Sequence, residues 1–158
     1  MLADMMNKER RKKKIEKLIA YATKLAGTPY KYGATMNEAP HYFDCSGFVK
    51  YVFAHVGATL PRSTLLQAAY AGRKVRVMRN LLPGDLIFYR SIRGHYNPKH
   101  PGGIGHVVLY LGGGKAIHAW SKVIKDYPVR IEEGSVRVQT LRQIIPLEKK
   151  LVIIKRII

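Results

Sequence analysis

The spacing of apolar residues changes once along the chain, and that change limits the fold. In the first half Ile15, Leu18, Ile19, Ala22, Leu25 and Ala26 recur at helical spacing, with lysines on the opposite face. Gly27 followed by Thr28 and Pro29 stops that helix, which is predicted over 12–26. A second helix opens after Asp44, a good N-cap, and buries Phe48, Val49, Val52, Phe53 and Val56 before Gly57 ends it. "LPRSTLLQAAYAG" predicts a third, shorter helix with Ser63 as a cap. From "PGDLIFYR" onward β-branched residues and alternation take over. Residues 86–90 read as a strand, and "HVVLYL" and "KAIHAW" flank Gly112, Gly113 and Gly114 as a hairpin. "VRVQTL" and "KKLVIIKRII" supply further strands, while residues 30–43 and 91–105 read as loops. Helices followed by antiparallel strands make an α+β fold. A length of 158 residues fits a single domain over 1–158, with 1–11 expected to be a flexible basic N-terminus.

Charge narrows the partners. Lys plus Arg number 28 against 10 for Asp plus Glu, a net charge of +18. Such a surface is drawn to polyanions: nucleic acid, acidic membranes or anionic cell-wall polymers. The lysine run in the first helix is most simply a solvated face. No run of 18 or more apolar residues exists, so no transmembrane segment is expected. The start, "MLADMMNKERRKKK", is basic, but no apolar stretch with a small-residue cleavage site follows it, so no recognisable signal peptide is expected. The chain is then cytoplasmic as encoded, or is released or exported by another route.

The chain contains one cysteine, Cys45, so an intramolecular disulfide is excluded. A free cysteine is most often a small buried hydrophobe. Here Asp44 precedes it and Ser46 and Gly47 follow, which places Cys45 in the first turn of a helix. Unpaired N–H groups and the positive end of the dipole stabilise a thiolate there and lower its pKa. The same N–H groups could face an oxyanion, and Gly47 would leave room for a substrate. Among six histidines, His55 suits the end of the second helix, and His41, His95 and His100 lie in polar loops. His95 and His100 form no recognisable metal spacing, so neither a metal nor a cofactor is expected. His106 opens an apolar strand and His118 lies on the next. They share a face only if the numbers of paired residues add up to an even total. Direct pairing of the two gives a three-residue loop, 111–113. A two-residue loop would put them on opposite faces.

In order along the chain stand "GTPYKYG", "DCSGFV", "LPRST", "PGDLIFY", "GHVVLYLG" and "IHAW". Together they resemble the NlpC/P60 family of papain-like cysteine peptidases, over nearly the whole chain from about Ile15. The resemblance implies a cysteine-bearing helix packed on an antiparallel sheet that carries the histidines. It implies Cys45 as nucleophile, His106 as base and His118 as the third polar residue, orienting His106. Tyr30 matches a tyrosine near the nucleophile, Asp44 and Ser46 match positions that hold the substrate's amino end, and Arg62 matches a polar position by the cleft. The stretch between Tyr30 and Cys45 is a few residues longer than is common in the family, and 91–105 is long and basic.

The activity so implied is hydrolysis of a peptidoglycan stem peptide, at the bond joining γ-D-Glu to a diamino acid, through a thioester acyl-enzyme. Its partners are peptidoglycan or muropeptides and anionic wall polymers, and its site of action is the bacterial cell wall. Two other readings stand beside it. The same triad could act on another amide, as in a toxin, an effector or a phage lysis enzyme. Alternatively the scaffold could be a retired peptidase that binds nucleic acid through its lysines, although the sequence shows no nucleic-acid motif.

Overall fold

The helical spacing of the first half closes into three helices in a computed structural model. The structure describes residues 1–90, 95–97, 100–144 and 151–158, without the side chains of 95–97, 100–102, 151 and 152. Helix α1 (Leu2–Lys24) buries Leu18 and Ala22, and beyond it Gly27 takes a φ of 91°. It starts at Leu2 rather than at residue 12, so residues 2–11, expected to be a flexible terminus, are helical. Helix α2 (Cys45–Ala54) is capped by Asp44. Helix α3 (Thr64–Tyr70) is capped by Ser63, whose side chain accepts from the Leu66 N–H at 3.2 Å. A single 3-10 turn, Met36–Glu38, interrupts the loop before α2.

The second half supplies β1 (Arg73–Val75), β2 (Leu86–Tyr89), β3 (His95–Asn97), β4 (His100–Ile104), β5 (His106–Gly112), β6 (Lys115–Lys125), β7 (Ile131–Thr140), the short helix α4 (Leu141–Ile144) and β8 (Leu151–Arg156). Six strands form one sheet in the order β1-β8-β2-β5-β6-β7, antiparallel at every neighbour. The segment 91–105, expected to be a loop, contains the separate hairpin β3-β4; residues 91–94 and 98–99 of that segment lie outside the described residues. Strand β1 was not foreseen, because three residues are too few to show a period.

Alternation gives the sheet two dressed faces. One face carries Leu86, Phe88, Val107, Leu109, Ile117, Ala119 and Val136, and it packs with Phe48, Val49, Val52 and Phe53 of α2. The other gathers Val75, Ile87, Val108, Ala116 and Ile154, closed by Leu81, Leu141 and Ile144. The first core is the one that matters for function, because it clamps α2 against β5 and β6.

A buried ion pair ties the chain end into this sheet. Asp85 has no exposed surface. It accepts from Arg156 Nε at 2.7 Å and from Nη2 at 2.6 Å, and from the Leu82 N–H at 2.8 Å. Arg156 also donates to the Asn80 carbonyl at 2.7 Å. Removing the buried carboxylate leaves the half-buried Arg156 guanidinium and the Leu82 N–H without their acceptor. The Asp85→Ala variant is therefore expected to lose about 3–5 kcal/mol of unfolding free energy. Urea denaturation checks this, and a loss within about 0.5 kcal/mol, the range of ordinary surface substitutions, contradicts it.

Candidate active site

The site begins at the α2 N-terminus. Asp44 Oδ1 accepts from the Gly47 N–H at 2.8 Å, the expected cap. Asp44 Oδ2 accepts from Arg62 Nη2 at 2.7 Å, and Arg62 Nη1 donates to Ser46 Oγ at 2.8 Å. Arg62 also donates to the Ala34 carbonyl. Gln67, which sequence reasoning passed over, donates from its buried amide to the Ser46 carbonyl at 3.1 Å and the Pro61 carbonyl at 2.8 Å. This network changes the reading of Gly47. A Cβ there would stand 2.8 Å from Asp44 Oδ1 and 3.4 Å from Arg62 Nη2. The glycine thus makes room for the cap and the guanidinium, not for a substrate.

The histidines arrive from the hairpin. Its turn is Gly113-Gly114, with φ of 59° and 73°, the positive pair a two-residue primed turn demands. The closing pair is Gly112↔Lys115, yet the next pairs are Tyr110↔Ala116 and Leu109↔Ile117. One extra residue on β5, Leu111, bulges out between them. The expected loop of 111–113 and the direct pairing of His106 with His118 are therefore corrected. The turn alone would set the imidazoles on opposite faces, and the bulge restores a common one. With Leu109 opposite Ile117 the two rings meet diagonally, within reach of long side chains: His106 Nε2 and His118 Nδ1 are 2.7 Å apart. His118 Nε2 lies 2.7 Å from Gln139 Oε1 on β7.

The electrostatics favour neutral groups at rest. Burial holds the Cys45 thiol up to about 12, with the Asp44 carboxylate acting in the same direction and the Val107 and Ser46 N–H groups and Arg62 against it. The first-turn amides, expected to lower it, are outweighed here by lost hydration and an adjacent anion. Burial, and then His118, push His106 well below the usual imidazole range. His118 is pushed down to about 4, chiefly by burial, with Arg137 adding to that and Gln139 opposing it. Tyr30 is held far above the usual phenol range, by burial first and then by the negative charges of a Cys45 thiolate and Glu132, so it remains a proton-bearing donor.

Cys45, Tyr30, Asp44, Ser46, Arg62 and His106 line one cleft of about 1270 Å³. His118, 1% exposed, stands behind His106 rather than in the cleft wall. Trp120 belongs to the wall and not to the core; Arg137 covers its ring at 3.9 Å. Arg130 and Glu132, paired at 2.5 Å, line the same cleft and were not flagged in the sequence. His55 stacks on Tyr21 with ring centres 3.6 Å apart, a packing role that agrees with its place at the helix end. The side chains of His95 and His100 lie outside the described residues.

The buried neutral His118 couples stability to pH. Its folded pKa of about 4 lies below the ordinary 6.5. Between those values the unfolded chain binds a proton that the folded chain refuses, so stability falls as pH drops through that window and is complete above it. The loss is expected to reach roughly 3 kcal/mol. Urea unfolding across the window measures it, and His118→Asn is expected to reduce the slope, leaving the contribution of His106, which is lowered in the same direction. An unchanged slope in the variant would contradict the assignment.

Comparison with known proteins identifies the fold. The NlpC/P60 family profile matches residues 27–142. A "probable endopeptidase p60" of Listeria innocua is 39% identical over 108 residues, covering 68% of this chain and 20% of that protein. The "peptidoglycan endopeptidase RipB" of Mycobacterium tuberculosis is 34% identical over 120 residues, covering 66% of this chain and 43% of that one. The chain thus spans about a fifth of the length of the p60 relatives it matches. The solved structure of RipB superposes with a TM-score of 0.65 at 30% identity, over 93% of this chain and 66% of that one. The P60 domain of the M. avium subspecies paratuberculosis antigen MAP1204 gives 0.66 at 30% identity, over 93% and 96%. Helices packed on a six-stranded antiparallel sheet are thus shared architecture, and the chain belongs to the NlpC/P60 family.

Proposed function

We propose that the chain is a cysteine peptidase that cleaves peptidoglycan stem peptides at the bond joining γ-D-Glu to a diamino acid. The observation that carries this reading is the arrangement at His106. Its Nε2 is occupied by His118 at 2.7 Å, and the ring lines the cleft that also contains Cys45. The remaining nitrogen, Nδ1, is the group available to a thiol. The similarity to proteins named peptidoglycan endopeptidase and endopeptidase p60 supports the substrate class.

In this reading His106 Nδ1 takes the Cys45 proton as sulfur attacks the carbonyl carbon. With both groups neutral at rest, proton transfer accompanies attack rather than preceding it. The open cleft and the neutral imidazole keep a high-pKa thiol usable. The oxyanion faces the Cys45 N–H in the first turn of α2 and the Tyr30 phenol. The C–N bond then breaks, and His106 returns the proton to the leaving amine, which leaves a thioester. Water, giving a proton to His106, attacks the thioester, and the acid product and the Cys45 thiol are released. Asp44, Ser46 and Arg62, linked into one network, would hold the amino-terminal side of the substrate. The cationic surface would hold the domain near anionic wall polymers.

Cys45→Ala and His106→Ala are each expected to lower kcat on purified muropeptides by at least about a thousand-fold, since such residues act as a unit. Mass spectrometry of the products identifies the bond. Full turnover by Cys45→Ala refutes the mechanism, and cleavage of protein amides with intact muropeptides moves the same chemistry to another substrate. Binding to purified sacculi is expected to weaken between low and high salt. Sedimentation that does not respond to salt removes the electrostatic role.

A further inference from the structure

The pair of hydrogen bonds on His118 decides where the protons of both histidines sit. Gln139 Oε1 is an amide oxygen, which only accepts. At 2.7 Å from it, His118 Nε2 must carry the hydrogen. His118 is buried and neutral, so its Nδ1 holds a lone pair and can only accept. At 2.7 Å from that lone pair, His106 Nε2 must be the donor. A neutral His106 with its hydrogen on Nε2 has its lone pair on Nδ1, the nitrogen that the peptidase reading assigns to the thiol. If Gln139 offered its NH₂ instead, each step would invert. His118 would donate from Nδ1, and His106 would present an N–H to Cys45, which is useless as a base.

We propose that Gln139 is a positioning residue that sets the tautomer of His118 and, through it, makes His106 Nδ1 the base. This extends the Cys45, His106 and His118 set by one member, and it rests on the peptidase reading above. The placement is specific. Gln139 stands opposite Ala116 on β7, and His118 stands opposite Arg137. Alternation therefore puts Gln139 on the face of His118, one pair along. Among the described residues, the titratable and charged groups facing His118 are His106 from β5 and Arg137 from β7. Arg137 disfavours a second proton on His118, which keeps the relay neutral.

The test compares Gln139→Leu and Gln139→Glu with the unmodified chain. Removing the acceptor in Gln139→Leu is expected to lower kcat about 10- to 100-fold with KM little changed, the scale for a group that orients a working histidine. Gln139→Glu retains an acceptor oxygen and is expected to keep most of the turnover at neutral pH. Its acid limb should move to higher pH, since the anion favours a proton on His118 Nδ1, which turns the His106 hydrogen around. Histidine ¹⁵N NMR reads the tautomers without any substrate. In the unmodified chain both histidines are expected to be protonated on Nε2, and Gln139→Leu should lose that single tautomer. A hydrogen on His118 Nδ1 in the unmodified chain overturns the proposal. So does a Leu variant with unchanged kcat and unchanged imidazole signals. If the unmodified chain cuts no muropeptide, the peptidase reading fails while the NMR result still decides the tautomer.

Discussion

One extra residue in one strand makes the histidine pair. A two-residue turn joining regular strands sends residues of matching sequence parity to opposite faces. Here Leu111 bulges from β5 and cancels that effect. Without the bulge His118 would point into the core under α2 and His106 away from it. With it the two rings share a face and touch at 2.7 Å. The three glycines 112–114, all with positive φ, make the tight turn and the bulge affordable in the same few residues.

The helix start answers the sheet from the other side. Asp44 caps α2 and ties Arg62 to the first turn, where Cys45 lines the cleft. The capping carboxylate also raises the pKa of the thiol it adjoins. A residue that stabilises the helix thus works against a thiolate at rest. The design is coherent if charge develops only when substrate arrives. Desolvation shifts Cys45, His106 and His118 all toward their neutral forms, whereas a standing ion pair would work against it.

The two walls of the cleft differ in what they present. The wall built from α2 and the residues before α3 is a connected network of Asp44, Ser46 and Arg62. The wall built from the sheet carries Trp120 and the paired Arg130 and Glu132. Cys45 and His106 come one from each wall, so their relative placement depends on how α2 packs against β5 and β6. Phe48, Val49, Val52 and Phe53 against Val107, Leu109, Ile117 and Ala119 provide that packing. The buried pair of Asp85 and Arg156 then anchors β8 beside β2, on which β5 is paired.

By itself the sequence determined the elements and the chemistry they could carry. Periods of 3.6 and 2 residues marked α2 and the β5-β6 hairpin, because one buried face leaves a repeating apolar signal. Asp44 before Cys45 marked a cap, because an N-cap is read over three residues. Local information of that kind stops at the turn. The start of α1 at Leu2 was missed because its first turns bury nothing and leave no pattern. The bulge at Leu111, the partner of His118 on β7 and the use of Gly47 were decided only in the tertiary structure. Each depends on register or on packing between residues far apart in the chain. A one-residue change in register reverses a side chain's face without changing the composition that a reader of the sequence sees. The thiol's raised pKa has the same origin, since desolvation is a property of the assembled site and not of the motif.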